Sequence, residues 1–423
     1  MKRFLSGYLS NPFVKVSSWT SLATAIKIGS GFLTVKVLAV YAGPEGMAVF
    51  GQLVNASTVF MTLATGAINT GVTKYIAEFS SNKEKQDAVI ATAIKITFIC
   101  SIVIGVILIV TSESFGKFLF NSSSYSDILR IFGLTIGLYA FNNLFISIIN
   151  GYKAYKEYVL ISVASSILVM VTTILLVYYL GTYGALLAYV TVQSAVIVVT
   201  LMVMRTMKLR VRLFRLSVDL PIARLLFLYS LATLTSAIVV PVSQIVTRHI
   251  ITELISVESA GIWEGINRIS AGYLMIITTS IQVYYLPRLS EIEGKHNLIS
   301  EIKKTCSIVL PPLLVVTTVI FFIKDFIITT LFTKDFSSMS ELFFAQLLGD
   351  FLKIASWLIA YAMFAKAMVK QFIITEIIFN FLYVILVYFF ISSFGFEAIS
   401  WAYCTTYLVY LFTVVVIVFK TKF

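Results

Sequence analysis

Two histidines and three cysteines are all that this 423-residue chain offers for metal or redox chemistry. His249 and His296 are far apart and lack ligand-like neighbours, so no metal site is expected. Cys100, Cys306 and Cys404 each fall inside an apolar run, where a small, weakly polar side chain packs readily, and no disulfide framework is implied. Charge is scarce too: Asp, Glu, Lys and Arg make up 12% of the chain, and the 20 acidic residues are outnumbered by 32 basic ones. There is no P-loop lysine motif and no nucleophilic triad, so ATP-driven and catalytic roles have no residues to carry them, and no cofactor is expected.

What remains is apolar. Hydrophobic residues make up 59% of the chain and the mean hydropathy is +0.95, well outside the soluble globular range. The apolar runs are continuous and lack the period-2 alternation of membrane strands, which excludes a barrel. At about 20 apolar residues per crossing, an all-α integral membrane protein of twelve transmembrane helices is predicted. Their spans are 16–42, 47–73, 86–111, 126–149, 157–180, 183–204, 225–251, 260–286, 301–323, 340–365, 371–392 and 396–419. The N-terminal stretch "MKRFLSGYLSNPFVKVSSW" is basic but is not followed by a small-residue cleavage site, so the first helix reads as an uncleaved anchor.

Loop charge sets the orientation. With the N-terminus inside, twenty-two Lys and Arg fall in cytoplasmic segments, against only Lys117, Lys324 and Lys334 on the opposite side. Both termini are therefore expected in the cytoplasm. The basic segment 205–224 reads most simply as a solvated linker lying on anionic headgroups, with no nucleic-acid partner.

A shift of 214 residues brings four landmarks into register: Gly51 with Gly265, Lys74 with Arg288, Lys156 with Lys370, and "GTYGALLAYVT" from Gly181 with "GFEAISWAYCT" from Gly395. The unit is six helices, which predicts an N-lobe over 1–210 and a C-lobe over 211–423 with the substrate path in the cleft between them. Lys74 and Arg288, where helices 2 and 8 leave the membrane, are candidate cytoplasmic gate residues.

Seven basic residues fall inside the spans: Lys27, Lys36, Lys95, Arg130, Arg248, Arg268 and Lys353. Lys27 lies about eleven residues from the cytoplasmic end of its helix, ~16 Å at the helical rise, too deep for its stem to reach water. Lys36, ~8 Å from the outer end, can snorkel, and Arg130 and Arg248 sit close enough to helix ends to do the same. Deep acidic partners are few. Asp350 precedes Lys353 by three residues and Glu264 precedes Arg268 by four, each on one helix face. An unpaired charge facing lipid costs roughly 2.5 to 3.5 kcal/mol, so the remaining excess is expected to line a positive, hydrated cavity. The alternative for Lys27 is a neutral, buried amine hydrogen-bonded to a carbonyl. Its repeat partner is Pro241, which carries no charge and is expected to kink helix 7. Amides within the spans, Asn55 and Asn142 among them, either reach sugar hydroxyls or bond helix to helix.

The segments "IKIGSGFLTVKVLAVYAGPEG" (26–46), "GQLVNASTV" and "GAINTGVTKYIAEF" (66–79) resemble the O-antigen flippases (Wzx type) of the polysaccharide transporter family, within the multidrug/oligosaccharidyl-lipid/polysaccharide exporter superfamily. The close resemblance covers the first 80 residues. It implies a MATE-like fold of two six-helix lobes in the bacterial inner membrane. The implied substrate is undecaprenyl pyrophosphate carrying an O-antigen oligosaccharide, moved from the cytoplasmic to the periplasmic leaflet, with the O-antigen polymerase and chain-length regulator as neighbours in the pathway. Under that resemblance Lys27 and Lys36 contact the head group or glycan; Lys95, Arg248, Arg268, Lys353, Asn55 and Asn142 are expected to line the same cavity from their placement within the spans. Independently of the resemblance, Asp350 and Glu264, the acidic residues placed deepest in the spans, are the candidates to couple an ion.

Three other readings stay open. A MATE-type drug or ion antiporter shares the fold but is expected to present acidic residues to cationic cargo. A lipid II flippase typically has two further helices. A membrane-embedded O-antigen polymerase or ligase usually carries a sizeable periplasmic loop, whereas the longest outer loops here run to about fifteen residues (112–126 and 324–339).

Overall fold

The structure, a computed structural model, describes residues 12–207, 219–281, 285–366 and 368–420. The start of the basic N-terminus and most of the basic 205–224 segment lie outside the described residues. Every regular element among those described is helical. In chain order these are α1 (Pro12–Tyr41), α2 (Gly43–Ala64), α3 (Asn69–Glu78), α4 (Lys83–Val110), α5 (Ser112–Phe120), α6 (Ser126–Gly151), α7 (Tyr155–Ala195) and α8 (Ile197–Thr206). They continue with α9 (Leu220–Leu254), α10 (Val257–Ser280), α11 (Leu286–Glu291), α12 (Lys295–Phe322), α13 (Lys324–Leu331), α14 (Met339–Ala365), α15 (Val369–Phe394) and α16 (Ala398–Lys420).

Ten stretches among the described residues are long and apolar enough to cross a bilayer, against the twelve that hydropathy predicts. The two counts part in two places. Tyr155–Thr206 forms one 52-residue stretch, although Gly181 interrupts it with φ 56° and ψ −135°. The other is α10, which carries Glu258, Glu264 and Arg268 and does not figure among the ten. The span expected over 47–73 also needs correction. Helix α2 stops at Ala64, where Gly66 and Ala67 turn the chain at φ 62° and 56°, and α3 is a separate helix.

Local chemistry sets the helix starts. The Asn82 side chain accepts a hydrogen bond from the Lys85 amide and so caps α4, and Ser256 does the same for Ser259 at α10. Before α9, Asp219 accepts from the Ile222 amide while its own N–H donates to Thr92 Oγ1 on α4. One residue thus caps a helix and docks it. Helix α9 runs continuously through Pro241.

Packing gathers the chain into two units, Met1–Val37 with Ala56–Ile238 and Leu38–Asn55 with Val239–Phe423. In the first, Val72, Ile76, Val89, Ile94, Leu144 and Ile148 form the centre of a core. Helices α4 and α6 approach at Gly105 and Gly133, where a Cβ on either would lie 2.7 Å from the other's carbonyl oxygen. Such small-residue crossings suit a solvent in which lipid gives no hydrophobic drive to helix association. In the second unit, Leu274, Ile354, Leu358, Met363, Val414 and Val418 belong to the core, and Gly349 lets α14 lie against Tyr403 and Cys404 of α16. Large apolar side chains such as Leu134, Tyr179 and Phe322 stay exposed, as a lipid-facing surface requires.

Candidate functional site

The second unit holds two polar constellations in its apolar interior. The first is built on Glu264 of α10. Its two carboxylate oxygens are taken by two arginines, Oε2 by Nη2 of Arg248 on α9 and Oε1 by Nε of Arg268, one turn on, at 2.7 Å. Arg248 also donates from Nη1 to Gln52 Oε1 on α2 at 2.6 Å, and its guanidinium lies 5.3 Å from the Trp263 ring. Arg248 is only 3% exposed, so it does not snorkel to the outer surface as its place near a helix end suggested. Its Nε is buried and has no hydrogen-bond partner among the described residues. Space for the cluster depends on Gly51, where a Cβ would lie 2.5 Å from Glu264 Cδ and 2.8 Å from Arg248 Nη2.

The second constellation centres on α14. Asp350, Lys353 and Trp357 are spaced three and four residues apart and share one helix face. Asp350 is completely buried. Its Oδ2 accepts from the Tyr273 hydroxyl at 2.6 Å and its Oδ1 from the Tyr403 hydroxyl at 2.8 Å. The Lys353 ammonium lies 5.1 Å from the ring centre of Trp357, 5.6 Å from that of Tyr407 and 5.8 Å from that of Tyr403. Tyr383 on α15 lies between the two constellations, its ring 6.1 Å from that of Tyr403 and its hydroxyl beside Trp263 and Arg248.

The other expected site residues are distributed differently. Lys27 and Lys36 are exposed on α1 and Lys95 is half-buried on α4, all three in the first unit. Asn142, also in that unit, is buried and accepts from Thr200 Oγ1 at 2.6 Å, the helix-to-helix bond that was one of its two readings. Asn55 is half-buried in the second unit. Arg130 pairs with Glu113 and Asp127 at 2.7 and 3.0 Å, partners that counting acidic residues in mid-span leaves out. The excess of unpaired positive charge is therefore smaller than the sequence suggests. Lys74 and Arg288 lie in the short helices α3 and α11, partly exposed, each 3.8 Å from a glutamate of its own helix, Glu78 and Glu291.

Sequence reasoning passed over Gln52 as a partner of Arg248, and over Tyr273, Trp357, Tyr403 and Tyr407. A signal for the last group was present in the i, i+3, i+7 spacing of Asp350, Lys353 and Trp357 and the i, i+4 spacing of Tyr403 and Tyr407. It also passed over Glu376 on α15, which acts electrostatically on Lys353.

The protein is a bundle of apolar helices that buries Arg248, Glu264 and Asp350 in its interior. Its fold is that of solved transporters: a multidrug resistance MATE family transporter of the MOP superfamily, in an inward-facing conformation, aligns with a TM-score of 0.75 and 15% identity, covering 92% of this chain and 94% of that one. The lipid II flippase MurJ, in an inward closed conformation, aligns with a TM-score of 0.72 and 16% identity over 96% and 88% of the respective chains. The chain belongs to the polysaccharide biosynthesis protein family, whose profile matches residues 47–341. It is 30% identical over 398 residues to the lipid III flippase of Escherichia coli (strain K12), covering 94% of this chain and 95% of that protein. These relatives are flippases and transporters, not enzymes.

Proposed function

We propose that the protein is a flippase that moves undecaprenyl-pyrophosphate-linked oligosaccharides, O-antigen repeat units in particular, from the cytoplasmic to the periplasmic leaflet of the bacterial inner membrane. Both termini are cytoplasmic in this reading, and two six-helix lobes, 1–210 and 211–423, alternate access to a positively lined path. The observation that carries it is the near full-length similarity to a lipid III flippase, joined to an excess of basic side chains within the spans. A diphosphate head is anionic and its glycan polar, whereas the lipid tail can stay in the bilayer. The sign of that excess disfavours export of organic cations. Lys27, Lys36, Lys95, Arg248, Arg268, Lys353 and Asn55 are the proposed contacts, Lys74 and Arg288 the cytoplasmic gate, and the O-antigen polymerase and chain-length regulator the downstream partners.

With no ATPase motif in its sequence, transport draws on an ion gradient, H⁺ or Na⁺, on downstream consumption of the product, or on both. Of the two deep carboxylates, Asp350 is the better coupling residue, because a cation arriving at Glu264 meets two guanidinium groups already in place. A second reading of the cargo, a lipid III glycan, is favoured by the similarity to the lipid III flippase. Proteoliposomes loaded with defined undecaprenyl-diphosphate oligosaccharides test both. Translocation of the O-antigen unit that falls when the H⁺ and Na⁺ gradients are collapsed is the expected outcome. Translocation of lipid III alone selects the second reading, unchanged flux without gradients removes the coupling, and no translocation of either lipid overturns the flippase assignment.

A further inference from the structure

Among the described residues the Lys353 ammonium has neither a hydrogen bond nor an ion pair. The π faces of Trp357, Tyr403 and Tyr407 lie 5.1 to 5.8 Å from it, and the carboxylates of Asp350 and of Glu376 on α15 act on it electrostatically without bonding it. The nearest carboxylate on its own helix, Asp350, has an oxygen committed to each of two tyrosine hydroxyls. Aromatic faces offset part of the cost of taking the ammonium out of water, but they leave its three N–H donors unused. A lysine kept only for packing at this depth would ordinarily be paired or bonded to a carbonyl. The three rings are themselves only half-buried, so each still offers surface to a ligand.

We propose that Lys353, Trp357, Tyr403 and Tyr407 form a saccharide subsite selective for a sugar with an anionic group on or beside its ring. The apolar C–H face of the pyranose lies on the aromatic rings, and the anion takes the Lys353 donors. A bare lipid chain would use the rings but not the ammonium; an inorganic anion would use the ammonium but not the rings. The combination specifies an anionic sugar, whose charge comes either from a carboxylate on the glycan or from the phosphate that joins it to the lipid. The inference rests on the flippase reading and names what part of the cargo this unit holds.

Tryptophan fluorescence of the full-length protein in detergent reads the site, with W357F showing which part of the signal belongs to it. The probes are a glucuronic-acid-containing disaccharide, its neutral glucose counterpart and glucose 1-phosphate. At least one anionic probe is expected to bind about tenfold more tightly than the neutral disaccharide, a preference that K353M abolishes and K353R keeps. Preference for the uronide assigns the charge to the glycan, and preference for the sugar phosphate assigns it to the lipid linkage. Should K353M fail to fold, Y407A, which keeps the charge, is expected to weaken binding of all three probes. Equal binding of neutral and anionic sugars, or unchanged anionic binding by folded K353M or Y407A, overturns the subsite. Wild-type vesicles that still flip a lipid-linked oligosaccharide in that case leave the flippase reading standing; vesicles that flip none remove that reading instead.

Discussion

Glu264 holds two arginines with one carboxylate, so the effect of removing its charge can be stated in advance. Glu264→Gln keeps the shape but leaves Arg248, buried beside Gln52, facing a neutral amide. Breaking a buried pair in this way costs about 3–5 kcal/mol because a charge is left uncompensated. A thermal melt of the purified protein should show a clearly lower midpoint than wild type, and an unchanged midpoint would mean that the cluster does not hold the unit together. Glu264→Asp, one methylene shorter, is expected to fall between them. Only half of this arrangement was readable in advance. The Glu264–Arg268 pair follows from a four-residue spacing on one helix, whereas Arg248 is 16 residues from Glu264 and Gln52 is 196 residues from Arg248. Spacing along one helix fixes which side chains share a face, but it is silent on which face another helix presents.

At the scale of elements, the junction glycines carry the prediction. Gly181, inside α7, and Gly395, between α15 and α16, occupy matching positions of the repeat, and both have positive φ, 56° and 82°, with extended ψ of −135° and −171°. A Cβ at either would meet nothing within 4 Å, so crowding is not what selects glycine. The backbone is, since that region is nearly closed to other residues and costs about 1–3 kcal/mol to hold. Gly181→Ala and Gly395→Ala should each lower the thermal midpoint despite the open space. The same substitution at Gly29 on α1, also in open space but helical, should leave it unchanged or raise it slightly. Equal midpoints for all three would remove the backbone argument. Helix positions were largely legible from hydropathy because the bilayer demands long apolar runs. The breaks were not: the turn at Gly66 and Ala67 that ends α2 sits in sequence that reads as continuous span.

For the molecule as a whole, the direction of every helix hangs on the lysine and arginine asymmetry. In a background with Cys100, Cys306 and Cys404 replaced by alanine, a cysteine at Ser123, between α5 and α6, should react with an impermeant maleimide in intact spheroplasts. One at Asn297, at the start of α12, should react only after the membrane is opened. The reverse pattern would invert the protein in the membrane and put the proposed cytoplasmic gate on the wrong side. Of the residues singled out for cargo, Arg248, Arg268 and Lys353 fall in one unit with Asn55, and Lys27, Lys36 and Lys95 in the other. Hydropathy placed them all within the spans, but a place along a span does not say which neighbours a side chain shares.

Segment Leu38–Asn55 belongs to the second unit although the residues on either side of it belong to the first. Gln52, near its end, bonds Arg248, and Pro44, near its start, lies so close to Gly261 of α10 that no side chain fits between them. That makes assembly a matter of timing. At a synthesis rate of roughly 5–20 residues per second, the ribosome needs about 10–40 s to make Arg248 after Gln52. For that interval the amide lies in a nascent, apolar helix with its final partner not yet in existence. A nonsense mutation anywhere between the two makes the wait permanent, and the polar group it strands inside the membrane is the kind of defect by which proteolytic surveillance can tell an unfinished chain from a finished one.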